Sequence, residues 1–256
     1  MNSPLVKSLL GLILVMVFLM LVITPSSPPP NPPTQTPPTG PEQTATTQGI
    51  IRHSYNLSLS DNRKQDFTDS LKQESGSEWG SSRINATGGS CLFTEGAYHV
   101  SQTTKNPLMN CLTSRTFSDF SFEVQLTLVQ GDCGGVAFRA DNNGNHYLFS
   151  ICVNGSYSIE KYNESSPVMI ILAKSSATIN PNVLDSNKIA IKADGPIMKF
   201  YINEEVVAQK QDNSYISGSL GLIAHTRHND PTEAAYSNAK LWTPLGPTTP
   251  TNCTTR

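Results

Sequence analysis

Residues 120–128 read FSFEVQLTL, and this stretch decides the fold class. Large apolar side chains occupy every second position from Phe120 to Leu128, with Ser, Glu, Gln and Thr between them. Alternation with a period of two is typical of a β-strand that turns one face to a core and the other to solvent. We therefore predict a half-buried strand here, with Glu123 and Gln125 on its solvent face.

The same period recurs from residue 65 onward, where no convincing helical pattern occurs. Turn sequences such as Asn154-Gly155 and Asp194-Gly195-Pro196 separate the apolar runs. We predict further strands at residues 97–102, 135–140, 146–153, 156–162, 188–193, 197–203, 219–225 and 235–242. Many short strands at regular spacing predict an all-β jelly-roll sandwich, which we place at residues 65–243.

The N-terminal residues have a different composition. Residues 9–23 read LLGLILVMVFLMLVI, and residues 5–24 are long enough for about 30 Å of helix, the thickness of a bilayer core. We predict that residues 1–24 are a short cytoplasmic stub and a transmembrane signal anchor, with the lipid bilayer as partner of residues 5–24. A cleaved signal peptide is the alternative, although no small-residue cleavage pattern follows the apolar run. Lys7 precedes the run, which favours a single-pass protein in the cell membrane with its C-terminal module outside the cytoplasm.

Proline, threonine and other polar residues dominate the segment that follows the apolar run. Residues 25–48 contain almost nothing apolar, so we predict an extended, disordered stalk. Residues 49–64 are expected to link this stalk to the sandwich, and residues 244–256 to form a disordered tail.

The charge balance excludes one class of partner. The formal net charge is -2, and charged residues make up 15% of the chain. Because nucleic-acid-binding domains normally carry a basic surface, we predict no nucleic-acid partner.

The cysteines predict two disulfide bonds. The chain has Cys91, Cys111, Cys133, Cys152 and Cys253. A two-residue hairpin loop at 142–143 would place Cys133 directly opposite Cys152, where a cross-strand disulfide can form. The pairing Cys91–Cys111 follows by elimination, and Cys253 is left in the tail with its role open.

The same hairpin register assigns side chains to the two faces of the sheet. Val136 and Phe149 belong to the core, whereas Arg139 and His146 lie on the opposite face beside small residues. Small residues on a sheet face leave room for a ligand, so we predict a ligand-binding face here. The candidate ligand-binding residues are Arg139, His146, Glu123, Gln125 and Tyr157.

The sequence favours binding over catalysis. A glycosidase needs a pair of carboxyl groups at a defined separation, and no Glu-x-Asp-x-x-Glu triplet is present. Glu123 and Asp132 are the acidic residues that could serve as catalytic groups. We expect no cofactor and no metal site: calcium is possible in a sandwich, but no acidic cluster supports it. His225 and His228 would lie on opposite faces of an extended segment, which disfavours zinc.

Several segments resemble a known family. They read CLFTEGAYHV at 91–100, FSDFSFEV at 117–124, GDCGGVAFR at 131–139, YLFSI at 147–151 and GSY at 155–157. Together they resemble the concanavalin A-like lectin/glucanase sandwich, and especially a bacterial extracytoplasmic type related to the 3-keto-disaccharide hydrolase domain. Arg139 matches the arginine of the shared G..fR motif.

The resemblance indicates the fold more specifically than the activity. The anchor, the stalk, the sandwich pattern and the missing acid pair together favour a module that binds a carbohydrate or another surface ligand without chemistry. A hydrolase or lyase of the keto-disaccharide type is the alternative, and a structural adhesion module is a second one, because one fold hosts many functions.

Overall fold

The computed structural model describes residues 41–84, 89–103, 108–227 and 231–246. The predicted membrane anchor, the stalk up to residue 40, His228 and Cys253 lie outside these ranges. Among the described residues, no helix combines the length and the apolar character that crossing a membrane requires.

In the described part of the chain, one helix precedes fifteen strands. The elements are α1 (Pro41–Ser60), β1 (Arg63–Asp69), β2 (Ser82–Ile84), β3 (Gly89–Thr94), β4 (Ala97–Gln102), β5 (Leu108–Phe117), β6 (Phe120–Gln130), β7 (Cys133–Ala140), β8 (His146–Cys152), β9 (Ser156–Asn163), β10 (Ser166–Ser175), β11 (Ser186–Asp194), β12 (Ile197–Ile202), β13 (Glu205–Gln211), β14 (Gly218–His225) and β15 (Thr232–Pro244). Every strand predicted above is present. The sequence pattern missed β1, β2, β3, β5, β10 and β13.

The strands form two antiparallel sheets. Sheet A has the order β13-β12-β11-β6-β15-β4-β3-β2, and β1 pairs with β15. Sheet B has the order β10-β9-β8-β7-β14-β5. Apolar side chains from the inner faces of both sheets, such as Phe122 of sheet A and Phe149 of sheet B, form one continuous core. The predicted all-β sandwich is confirmed.

The helix α1 was not expected from the sequence. It covers residues 41–48 of the predicted stalk and most of the predicted linker. Tyr55 and Leu59, four residues apart and therefore on one helical face, are the buried apolar residues of α1 among its described side chains. Two buried apolar residues are too few to produce a helical period in the sequence, so the sequence pattern did not predict this helix.

The wet face predicted for residues 120–128 needs correction. Phe122, Val124 and Leu126 point into the core as expected, but Glu123 on the other face is also buried, with 4% of its surface exposed. The reason is α1, because Tyr55 lies against Glu123 and excludes solvent from it.

The hairpin register and both disulfides are confirmed. Cys133 pairs with Cys152 in the β7–β8 ladder, and Val136 pairs with Phe149. The disulfides are Cys133–Cys152 and Cys91–Cys111.

Candidate functional site

The face of sheet B that points away from the core carries a buried polar cluster. Tyr157 and Ile159 of β9 point into the core, so Ser158, Glu160 and Tyr162 point outward. Neighbouring strands contribute to the same face, because Ser150 pairs with Ser158 and His146 pairs with Tyr162. Apolar residues on the same face pack with Tyr162, namely Ala137, Leu148 and Ile223. We call Ser150, Ser158, Glu160, Tyr162, His225 and Arg227 the Glu160 cluster.

Hydrogen bonds tie the Glu160 cluster together. Arg227 donates from Nη2 to Glu160 Oε1 over 2.7 Å and to Ser158 Oγ over 2.9 Å. Ser158 donates to the same Glu160 oxygen over 2.6 Å, and Ser150 Oγ lies 2.9 Å from Ser158 Oγ. Tyr162 donates to the second oxygen of Glu160 over 3.3 Å. The carboxylate is therefore held in one orientation by three side chains.

Glu160 is an anion at neutral pH. Burial by itself would raise the pKa of Glu160, but the hydrogen bond from Ser158 and the charge of Arg227 outweigh it and lower the pKa below its usual value. Charge-assisted hydrogen bonds of this kind are the strong ones in proteins. The carboxylate can therefore accept hydrogen bonds but cannot supply a proton.

Two buried histidines on this face are neutral. Burial, together with the nearby charge of Arg227, lowers the pKa of His225 to about 4. Burial also lowers the pKa of His146, whose ring stacks on Tyr162 with centroids 4.5 Å apart. Among the described residues, His225 Nδ1 and His146 Nε2 have no hydrogen-bond partner. Because His146 Nδ1 lies 3.0 Å from the carbonyl of Gly144, Nδ1 carries the proton and Nε2 is an acceptor.

Two of the predicted site residues lie at this face. His146 is on it, as the hairpin register predicted, and Asp132 lies at its edge. Asp132 accepts the backbone N–H of Arg227 over 2.6 Å and is close enough to His225 to affect its charge.

The structure places Arg139 elsewhere. Its backbone has a positive φ of 52°, and the register of β14 shifts beside it, so the alternation of faces breaks before it reaches this residue. Arg139 is 1% exposed, and its guanidinium donates to the carbonyls of Ser118, Gly195 and Tyr215. The predicted neighbourhood of Arg139 and His146 on one face is thus corrected: Arg139 is committed to backbone carbonyls.

The other three predicted residues do not join the Glu160 cluster. Tyr157 points into the core, where its hydroxyl donates to the carbonyl of Val207 over 2.9 Å. Glu123 and Gln125 belong to β6 in sheet A, on the far side of the core from the outer face of sheet B. The period of two predicted which face of β6 they occupy, but it does not predict which sheet a strand joins.

Sequence reasoning missed Glu160 and Arg227. The Asn154-Gly155 turn gave no usable signal for Glu160: a two-residue loop there would pair Glu160 with Phe149 of the core face, whereas the observed register pairs it with Leu148. Arg227 lies just after β14, where no periodic pattern predicts its direction.

Solved structures with a similar fold include proteins of known and unknown activity. The carbohydrate-binding module CBM66 from Bacillus subtilis has a TM-score of 0.54 at 19% sequence identity, covering 65% of this chain and 96% of that one. A protein of unknown function with a galectin-like fold, also from Bacillus subtilis, has a TM-score of 0.54 at 13% identity, covering 72% and 100%. The β-glucanase of Bacillus licheniformis has a TM-score of 0.51 at 9% identity, covering 70% and 98%.

These similarities concern the fold alone, because the identities are low. No protein-family model matches the chain, and no curated protein does. The described module therefore has a galectin-like, concanavalin A-like sandwich fold, of which the concanavalin A-like class is what the sequence resemblance predicted.

Proposed function

We propose that this module binds a carbohydrate on the outer face of sheet B and does not cleave it. The observation that carries the proposal is the Glu160 cluster. In this cluster the fixed carboxylate of Glu160 accepts hydrogen bonds beside the guanidinium of Arg227, which donates them. The Arg227 side chain is 36% exposed and is therefore the part of the cluster that solvent reaches. Adjacent hydroxyl groups of a sugar both donate and accept hydrogen bonds, so a paired acceptor and donor suit them.

The unpartnered nitrogens of His225 and His146 support the same conclusion. A buried polar atom without a partner costs free energy, and functional sites are where proteins accept this cost. Because both nitrogens are buried, they mark this face as a functional region and are not themselves offered as sugar contacts. The fold neighbours agree in class, since one is named as a carbohydrate-binding module and another as a β-glucanase.

The protonation state of Glu160 supports binding over hydrolysis. A glycosidase needs one carboxyl group with a raised pKa to protonate the leaving group. The pKa of Glu160 is lowered instead, and Asp132 at the edge of the face already accepts a hydrogen bond from the backbone of Arg227. A hydrolase of the keto-disaccharide type is the competing function.

Glycan-array screening of the full chain in mild detergent tests the proposal, followed by calorimetry with the best-bound glycan. We expect Arg227→Ala to weaken binding at least about tenfold, which corresponds to about 1.4 kcal/mol. Glu160→Gln should also weaken it, because Arg227 loses its charged partner. Arg83→Ala is the matched control, because Arg83 is exposed on β2 of sheet A. Equal loss with the control variant, no glycan bound at all, or release of shortened sugars would contradict the proposal.

We also propose that residues 5–24 anchor the module in the cell membrane, with the sandwich outside the cytoplasm. The apolar sequence supports this, and so do two disulfides, which persist in oxidising compartments. Protease treatment of intact cells is the test. The sandwich should be cut from the cells, and a fully protected chain would contradict the topology.

A further inference from the structure

The outer face of sheet A lies on the other side of the molecule from the Glu160 cluster and is partly covered by α1. One row of side chains crosses four strands here: Tyr201 pairs with Ala190, Ala190 with Glu123, and Glu123 with Lys240. In the next row Ser121 pairs with Trp242. The face therefore combines two aromatic rings, a carboxylate and an ammonium group.

Tyr55 of α1 fills the centre of this face. Its hydroxyl donates to Glu123 Oε2 over 2.7 Å, and Lys240 donates to the other oxygen of Glu123 over 2.8 Å. Its ring meets the ring of Tyr201 edge-on, with centroids 5.4 Å apart. A six-membered ring whose hydroxyl bonds a carboxylate therefore fills the space between Tyr201 and Glu123.

Open space continues on the same face beside Tyr55. A cleft of about 450 Å³ lies between α1 and the sheet, within the range typical of ligand sites. It is lined by Gln48, Ile51, Arg52, Gln125, Ser186, Lys188, Asn203, Glu204 and Glu205. A smaller cleft, which reaches Glu123 and Lys240, shares Gln125 and Lys188 with it. Amide and charged groups therefore extend along the face away from Tyr55.

One polar atom on this face is unpaired. Ser121 Oγ is fully buried and, among the described residues, has no hydrogen-bond partner. Such an atom carries a desolvation cost that a ligand hydroxyl would remove.

The attachment of α1 is slight. Its described buried apolar residues are Tyr55 and Leu59, which pack against Ala190, Tyr201 and Trp242. Its ion pair with the sheet joins Arg52 to Glu204 over 3.3 Å, but the Arg52 side chain is 72% exposed. Exposed ion pairs add little stability, and an isolated helix of this length is marginal in water.

We propose that the outer face of sheet A is a second carbohydrate-binding site, which α1 closes by inserting Tyr55 as an internal substitute for a sugar. Release of α1 exposes Tyr201 and Trp242 as stacking surfaces and frees Glu123 to accept sugar hydroxyls. This site is separate from the Glu160 cluster, so each can fail without the other.

The test uses the full chain with Arg227→Ala as background, which disables the site on sheet B. Adding Tyr55→Ala and Leu59→Ala undocks α1, and hydrogen exchange of the amides of residues 41–60 verifies the release. The probes are cellohexaose, laminarihexaose and maltohexaose. We expect affinity for at least one of them to rise about tenfold or more, a gain of about 1.4 kcal/mol. The fluorescence of Trp242 should change with the same titration.

Three further variants keep the proposal falsifiable. Tyr55→Phe keeps the ring but loses the hydrogen bond to Glu123, so it should release α1 less than the double variant does and give a smaller gain. Glu123→Gln added to the undocked chain should abolish the gain. Ile50→Ala, at an exposed position of α1, should change nothing. The proposal is overturned if undocking produces no gain, or if the gain survives Glu123→Gln.

Discussion

The guanidinium of Arg139 donates its hydrogen bonds to backbone carbonyls. Three loops that are distant in sequence supply them, through Ser118, Gly195 and Tyr215, at distances of 2.7–3.2 Å. A planar fork with five donors can bridge such separated acceptors, which the ammonium of lysine cannot do equally well. At the residue scale, Arg139 therefore acts as a clamp between loops.

Arg139→Ala should lower the free energy of unfolding by about 3 kcal/mol, because the buried side chain and its hydrogen bonds to three loops are lost together. Arg139→Lys should lose part of this amount, since it keeps the charge and some donors. Urea unfolding followed by circular dichroism measures both. An unchanged midpoint in the alanine variant would show that the clamp contributes nothing.

His225 makes stability depend on pH in a defined window. Its pKa is about 4 in the folded chain against 6.5 for an unperturbed histidine. Between these values the unfolded chain binds a proton that the folded chain does not, so stability falls as the pH is lowered through the window and is complete above it. His146, whose pKa burial also lowers, acts in the same direction.

We expect the urea midpoint to decline from pH 6.5 towards about 4 and the decline to become shallower in His225→Gln. His53→Gln is the control, because His53 is exposed on α1. A slope that His225→Gln leaves intact would assign the pH dependence to other groups.

At the scale of elements, the β7–β8 hairpin depends on a glycine. A Cβ atom at Gly135 would lie 2.1 Å from the carbonyl oxygen of Phe149 and 2.7 Å from Cα of Ser150. These are backbone atoms, which cannot move aside without disturbing the ladder. The two strands approach so closely here that only glycine fits.

Gly135→Ala should therefore destabilise the module by about 1–3 kcal/mol, the usual cost of overpacking. Gly49→Ala is the matched control, because a Cβ there meets no atom within 4 Å. Because Gly49 lies in α1, replacing it with alanine should stabilise the helix by up to about 1 kcal/mol. Thermal unfolding of both variants distinguishes them, and equal melting temperatures would contradict the predicted clash.

The two disulfides each join a pair of strands. They close loops between residues separated by 20 and 19 positions, tying β3 to β5 and β7 to β8. Restricting the unfolded chain over loops of this length contributes about 3 kcal/mol for each bond. Replacing Cys133 and Cys152 together with alanine should lower the free energy of unfolding by about this amount, measured in urea without reductant. A loss well below about 1 kcal/mol would contradict the prediction.

At the scale of the whole molecule, one continuous core joins the two sheets. Trp79 is 1% exposed in this core, and the ring centroid of Phe200 in sheet A lies 5.1 Å from that of Phe149 and 6.1 Å from that of Phe138 in sheet B. Because residues of both sheets meet in this core, neither sheet can keep its buried face if the other unfolds.

We therefore expect a single cooperative unfolding transition for the sandwich. The chain has two tryptophans, so in Trp242→Phe the fluorescence reports on Trp79 in the core. Its urea midpoint should coincide with that of the circular dichroism signal of the strands. Separate midpoints would show that the two sheets unfold independently.

The sequence predicted local pairing well and distant pairing poorly. His146 was placed correctly because the β7–β8 hairpin is short and its turn sets the register. Arg139 was misplaced because a bulge reverses the alternation, and a period of two contains no information about bulges. Glu123 was assigned to the wrong surface because β6 and β7 are adjacent in sequence but belong to different sheets.

The sequence by itself determined the all-β class, the strands with clear alternation, and the two disulfides. These follow from periodicity and from turns, which act over a few residues. Only the tertiary structure decided that Glu160 and Arg227 meet on one face of sheet B and that Tyr55 covers Glu123 on sheet A. Both contacts join residues more than sixty positions apart, and the packing of the two sheets and of α1, not any local preference of the chain, brings them together.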